Sequence, residues 1–143
     1  MYVKSFKELE VYKQAREAAK VIYSKSQSFP KTEQFSLTDQ MRRSSRSVGA
    51  QIAEAWGKRR YEKHFISKLT DADGEQMETQ HWIETANECE YLLADEKDEL
   101  IRKYEAIGKM LQSMIGKASI FCNPEAVSKN QKSINTNYPI SGY

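Results

Sequence analysis

The stretch Tyr61–Leu93, YEKHFISKLTDADGEQMETQHWIETANECEYLL, decides the fold class. Within it Phe65, Leu69, Ala72, Gln76, Thr79, Ile83, Ala86, Glu90 and Leu93 follow in alternating steps of four and three. At 3.6 residues per turn, that spacing sets them along one face of an α-helix. Ile66, Met77, Trp82, Cys89 and Leu92 widen the apolar surface beside the seam. Gly74 stands mid-helix, where it costs up to about 1 kcal/mol against alanine, so a close contact or a local kink is expected there. Gln76 and Thr79 lie on the seam and need polar partners once buried.

The same periodicity extends in both directions. A first helix is expected from Phe6, with Ser5 as its cap and Glu8 at capping-box spacing. Leu9, Tyr12, Ala15, Ala19, Ile22 and Ser26 share its face, and Phe29-Pro30 stops it. A second helix is expected from Leu37, capped by Ser36 with Asp39 in the first turn. Its inward stripe is Leu37, Met41, Ser44, Val48, Ile52 and Ala55, and Gly57 ends it in a left-handed conformation. Its many small residues, Ser44, Ser45, Ser47, Gly49, Ala50 and Ala53, allow a neighbouring helix to approach closely. A fourth helix begins at Asp95, with Asp98 in its first turn and a stripe of Leu100, Tyr104, Ile107, Leu111, Met114 and Ala118. The expected spans are 6–27, 37–56, 61–93 and 95–119. Short loops between amphipathic helices imply an all-α fold, an antiparallel up-and-down four-helix bundle over residues 1–122. Residues 123–143 have no period and read as a loose, flexible C-terminal tail.

At 143 residues with 39% hydrophobic and 29% charged content, the chain suits one water-soluble domain. No apolar run approaches the roughly 20 residues of a membrane span, so no membrane association is expected. The N-terminus has no apolar h-region, and Cys89 and Cys122 form no CxxC pair. Reduced thiols and a cytoplasmic location follow as the expectation, a single disulfide being the alternative.

Net charge is only +2, but it is unevenly laid out. From Thr38 to Lys68, eight bases face three acids, a net of +5. From Asp71 to Glu99, eleven acids face Lys97 alone, a net of −10. Such a division points to a polyanion, or to a second subunit, as the partner of the basic segment.

The order Phe6 and Leu9, Phe29-Pro30 with Glu33, Gln40-Met41-Arg42-Arg43-Ser44-Ser45, Ser47-Val48, Ile52-Ala53-Glu54, Phe65, Ala72-Asp73-Gly74 and Glu78 is specific in spacing. Over roughly residues 6–115 it resembles the four-helix-bundle proteins encoded by intervening sequences within bacterial 23S ribosomal RNA genes. That family is itself similar to the accessory protein of diversity-generating retroelements. The chain departs from the usual pattern at Gln51, Ala55 and Glu75, where the family has Asn, Gly and often Ser. The resemblance implies a homo-oligomeric ring, commonly a pentamer. For the retroelement branch it implies binding to nucleic acid and to a reverse transcriptase. It supplies no catalytic residue.

The candidate nucleic-acid-binding residues are Arg42, Arg43 and Arg46 on the second helix, and Lys58, Arg59, Arg60 and Lys63 around the following turn. Basic residues near Gly57 suit the C-terminal end of the second helix, but the same cluster opposes the dipole at the start of the third. The second reading is a structural self-assembly module in which basic and acidic helices pair between subunits, without nucleic acid. Glu78-Thr79-Gln80-His81 has the Glu-x-x-His spacing of di-iron bundles, but His64 offers no second such pair. No metal and no cofactor are therefore expected. Tyr12, Tyr23, Trp56, Tyr61, Trp82, Tyr91 and Tyr104 could stack on bases, although core and interface packing is their ordinary use. No Gly-rich phosphate loop or Ser/His/Asp set is present, and the chain is expected to be no enzyme.

Overall fold

Each periodic seam needs another seam to cover it, and the helices satisfy one another in sequence order. The computed structural model describes residues 3–122, so the expected tail at 123–143 lies outside the described residues. Four long helices, α1 (Glu10–Ser26), α2 (Asp39–Gly57), α3 (Glu62–Glu88) and α4 (Ala94–Gly116), are followed by the short α5 (Ala118–Cys122). α1 packs on α2 and α4, and α3 packs on α2 and α4. This is an all-α, up-and-down four-helix bundle, with α5 folded back on α3 and α4. Among the described residues there is no strand, and no helix is long and apolar enough to cross a membrane.

The inward stripes of α2 and α4 are buried as their spacing predicts, and so is the α3 seam from Phe65 to Ala86. Tyr104 on α4 is among the largest wholly buried side chains, and burial pushes its phenol well up from its ordinary pKa.

The helix ends differ from expectation. Phe6–Glu8 form a 3-10 turn, Leu9 is extended, and α1 starts only at Glu10. Leu9 and Val11 are both wholly buried. Residues two apart lie on nearly opposite faces of one α-helix, so the chain must turn between them. Ser5 Oγ accepts from the Lys7 amide, but the Glu8 carboxylate reaches the Lys4 amide rather than that of Ser5. Along α1 the buried set is Val11, Ala15, Ala18, Ile22 and Ser26; Tyr12 and Ala19 are only half-buried.

Ser36 does not cap α2. It sits in a π-turn, Gln34–Thr38, and its hydroxyl donates to Glu33 Oε1 at 2.7 Å. The wider turn lets the adjacent Leu37 and Thr38 both face inward while Phe35 projects outward. Gly57 has no positive φ; the left-handed residue is Glu90, at φ 65°. There the Glu90 amide donates to the Asn87 carbonyl and the Tyr91 amide to the Ala86 carbonyl, both at 2.9 Å. This pair of bonds is a Schellman closure, and it ends α3 five residues before Leu93. Leu92 is buried, but Cys89, Glu90 and Leu93 are exposed, so Cys89 is not a core residue. Both cysteines are free. At the start of α4, Glu96 rather than Asp98 reaches back, accepting from the Leu93 amide at 2.9 Å.

Glu96 also accepts from Lys25 Nζ at 2.6 Å, and Glu33 accepts from the Tyr91 hydroxyl at 2.9 Å. The first contact ties the last turn of α1 to the first turn of α4, and the second joins the α1–α2 and α3–α4 connections, at one end of the bundle.

The polar seam residues have their partners. Thr79 Oγ1 and Ser44 Oγ lie 2.9 Å apart across the α2–α3 contact. Gln76 Nε2 donates to Asp73 Oδ1 at 2.9 Å, and Gln112 Nε2, from α4, donates to Asp73 Oδ2 at 2.8 Å. Gln80 Nε2 donates to Gln76 Oε1 at 2.7 Å. This network sits against Gly108, where a Cβ would meet Gln76 Nε2 at 2.7 Å. Gly74 is the opposite case: it is exposed, and nothing lies within 4 Å of where its Cβ would stand. Of the close contact or kink expected at Gly74, the contact is not present there; a close contact of that kind stands at Gly108.

The same substitution at these glycines should therefore have opposite signs. Gly108→Ala must displace an amide held by buried hydrogen bonds, an overpacking cost of about 1–3 kcal/mol that outweighs the roughly 1 kcal/mol gain in helix propensity. Gly74→Ala should keep that gain. Urea unfolding monitored by circular dichroism should give a lower midpoint for the first and a higher one for the second.

The carboxyls of Glu96, Glu33 and Glu78 are all held below their ordinary pKa, chiefly by hydrogen bonds from Lys25, Ser36 and Trp82 respectively. Depressed carboxyls stabilise the fold above the unfolded-state pKa, and that contribution is lost as pH falls through the folded values. Melting temperature should fall as pH drops below about 4.5, and Glu96→Gln should flatten that dependence.

Candidate nucleic-acid interface

The structure distributes the seven candidate residues over three places. Arg43 turns toward α3, where its Nη2 lies 2.7 Å from Glu78 Oε2 and 3.3 Å from Glu75 Oε1. Those hydrogen bonds, Glu78 first, raise the pKa of the guanidinium. Basic α2 and acidic α3 thus pair within one chain at this point.

Lys58, Arg59, Arg60 and Lys63 gather at the α2–α3 turn. Arg59 stacks on Trp56 with its guanidinium carbon 3.6 Å from the ring centre, and its Nε donates to the Trp56 carbonyl at 2.8 Å. Burial is the main influence on Arg59, lowering its pKa, yet an arginine keeps its charge. Arg60 lies over Tyr61, while Lys58 and Lys63 are exposed.

Arg42 and Arg46 form the third place, on the side of α2 that meets α1. Both guanidinium carbons lie over the Tyr23 ring, 4.6 Å and 5.5 Å from its centre. Arg42 Nε donates to Ser26 Oγ at 2.9 Å, which fixes it against α1. Tyr23 remains 44% exposed. It stands in an open groove floored by the small side chains of Ala15, Ala19, Ser45 and Gly49 and edged by Arg16, Lys20 and Arg46. Arg16 also lies over the Tyr12 ring, 5.9 Å from its centre, and Tyr12 packs beside Gly49. Cation–ring pairs thus stand both in the α1–α2 groove, at Tyr23, and beside it, at Tyr12. Among the described residues, the acid paired with a rim cation is Glu17, 3.9 Å from Lys20 and like it exposed.

Arg16 and Lys20 are absent from the residues expected by sequence. Tyr12, Arg16, Lys20 and Tyr23 recur at four, four and three residues, and that helical spacing is the signal that could have found them. The groove also lies on the basic side of the molecule. α1 and α2 together carry seven bases and four acids, a net of +3, whereas α3 and α4 carry six bases and twelve acids, a net of −6.

Glu78 is engaged by Arg43 and by Trp82 Nε1, while His81 is exposed beside Trp82. Among the described residues no group of three or more His, Cys, Asp or Glu side chains could hold a metal ion.

No curated protein matches the chain. A protein of unknown function from the S23 ribosomal protein family of Bacteroides thetaiotaomicron has a similar crystal structure, at 30% identity and a TM-score of 0.66. The likeness covers 73% of this chain and 97% of that one. The family model of the 23S rRNA-intervening sequence protein matches residues 7–113. With that match spanning α1 to α4, this chain belongs to the 23S rRNA-intervening sequence protein family.

Proposed function

We propose that the chain is a non-enzymatic, cytoplasmic, homo-oligomeric adaptor that binds RNA or DNA through the basic side of its bundle. The observation that carries this reading is the basic-aromatic groove on α1–α2, on the opposite side of the bundle from the strongly acidic α3–α4 pair. Cations at helical spacing match a chain of phosphates, and neutralising them releases counterions. The sequence set is thereby refined: Arg42 and Arg46 remain, Arg16 and Lys20 join them, and Arg43 is engaged by acids of its own chain. The cluster at Lys58, Arg59, Arg60 and Lys63 is a secondary contact at the bundle's end. A pentameric ring, and a reverse transcriptase as protein partner if the chain is retroelement-associated, belong to the same proposal by family resemblance.

A second reading is a self-assembly module, favoured by the same opposition of charge. The +3 side of one subunit complements the −6 side of the next, and such heterologous contacts close into rings when the rotation allows.

Two measurements separate these readings. A fluorescein-labelled RNA or DNA should be retained at low salt, with affinity falling steeply as salt rises. Reversing Arg16, Lys20 and Arg46 to Glu should lower that affinity at least about tenfold, since each phosphate contact contributes to the salt-dependent binding. Reversing Arg43 should have little effect, and the helical circular dichroism signal should persist in both variants. Absence of retention by wild type at low salt sinks the nucleic-acid reading. If the triple reversal instead lowers the mass measured by light scattering, the self-assembly reading takes its place.

A further inference from the structure

The groove offers more than phosphate contacts, and the surplus discriminates among nucleic acids. Tyr23 is an exposed ring whose position is fixed by the guanidinium groups of Arg42 and Arg46. Arg42 is fixed in turn by Ser26. An aromatic anchored in this way loses little freedom when a ligand settles on it. A duplex presents phosphates on a convex surface and hides its base faces in its own stack, so it would leave Tyr23 without a role. A single strand turns its bases outward and lets them stack on aromatic side chains and guanidinium planes. The floor suits such a strand: Ala15, Ala19, Ser45 and Gly49 put no long side chain between the rims. From Ala15 to Tyr23 the groove runs about 12 Å at 1.5 Å per helical residue, room for a short run of an extended strand.

We infer that the α1–α2 groove takes single-stranded nucleic acid, its backbone along Arg16, Lys20 and Arg46 and a base stacked at Tyr23. This rests on the nucleic-acid reading above and narrows it to one form of the polymer. Three rim cations set the electrostatic share of binding, with a salt slope of about −2 at roughly −0.7 per phosphate for single strands. Tyr23 sets the remainder, which is insensitive to salt.

The test uses the full chain and two fluorescein-labelled RNAs, an oligouridylate of about ten nucleotides, within the usual single-strand site size, and a duplex with the same number of phosphates. Anisotropy titrations at several salt concentrations give affinity and slope for wild type, Tyr23→Leu, Tyr23→Phe and Arg46→Gln. The expected result is tighter binding of the single strand than of the duplex. Tyr23→Leu should weaken the single strand roughly tenfold with its salt slope unchanged. Tyr23→Phe should retain full binding, and Arg46→Gln should reduce the slope by about 0.7. A merely structural role for Tyr23 would alter binding of both ligands alike. If the duplex binds as well as the single strand, or Tyr23→Leu is silent, the inference is overturned while the nucleic-acid reading stands. If neither RNA binds at low salt, both fall.

Discussion

Everything in the bundle depends on how closely α2 can lie against its neighbours. On one side Ser44 meets Thr79 of α3 in a hydroxyl pair, and on the other Ser45 and Gly49 face α1. Small side chains at those positions remove the bulk that would hold the helices apart. They also leave the arginines of α2 at its outer edges. Arg43 emerges on the α3 side and finds acids, while Arg42 and Arg46 emerge on the α1 side and find Tyr23. The placement of the arginines is thus a by-product of close helix packing. A larger residue at Ser45 or Gly49 would fill the groove floor and disturb the helix contact together.

The second constraint is polar. Asp73 is a buried carboxylate whose oxygens are held by amides from two helices, Gln76 on α3 and Gln112 on α4. Burying such a group is costly unless its hydrogen bonds are made, so a slip of α4 along α3 would remove Gln112 from Asp73 and bring a side chain where Gly108 now stands. The apolar stripes bring the helices together; this network fixes their register. The bundle interior is therefore specified by polarity as well as by volume.

Helix identity was legible because periodicity is a local property of the chain. The stripes of α2 and α4 appear in the sequence as they do in the structure. Helix ends were not legible in the same way. The closure at Glu90 uses a residue other than the glycine that usually marks it, and the π-turn at Gln34–Thr38 is accompanied by side-chain hydrogen bonds from Ser36 to Glu33 and from Gln34 to Asp39 that no spacing rule announces. The candidate site was half legible. Charge clusters contiguous in sequence were visible, but a groove between two helices belongs to neither alone. Arg16 and Lys20 stand in an unremarkable helix until Arg46 comes to rest opposite them. Arg43 shows the converse, since its place in a cluster says nothing of the carboxylates, more than thirty residues away, that hold it.

The separation of charge across the bundle has a kinetic consequence. With opposite signs on opposite flanks, a subunit carries an electric dipole transverse to its helix axes. In the field of a polyanion such a body experiences a torque before it makes any contact. It turns the α1–α2 flank toward the approaching polymer and the α3–α4 flank away, so fewer encounters are wasted on the wrong orientation. Orientation at a distance is a property of the encounter rate, and it fades as salt shortens the reach of the field. In the proposed binding reaction the acidic flank, without touching a phosphate, would decide which way the molecule faces on arrival.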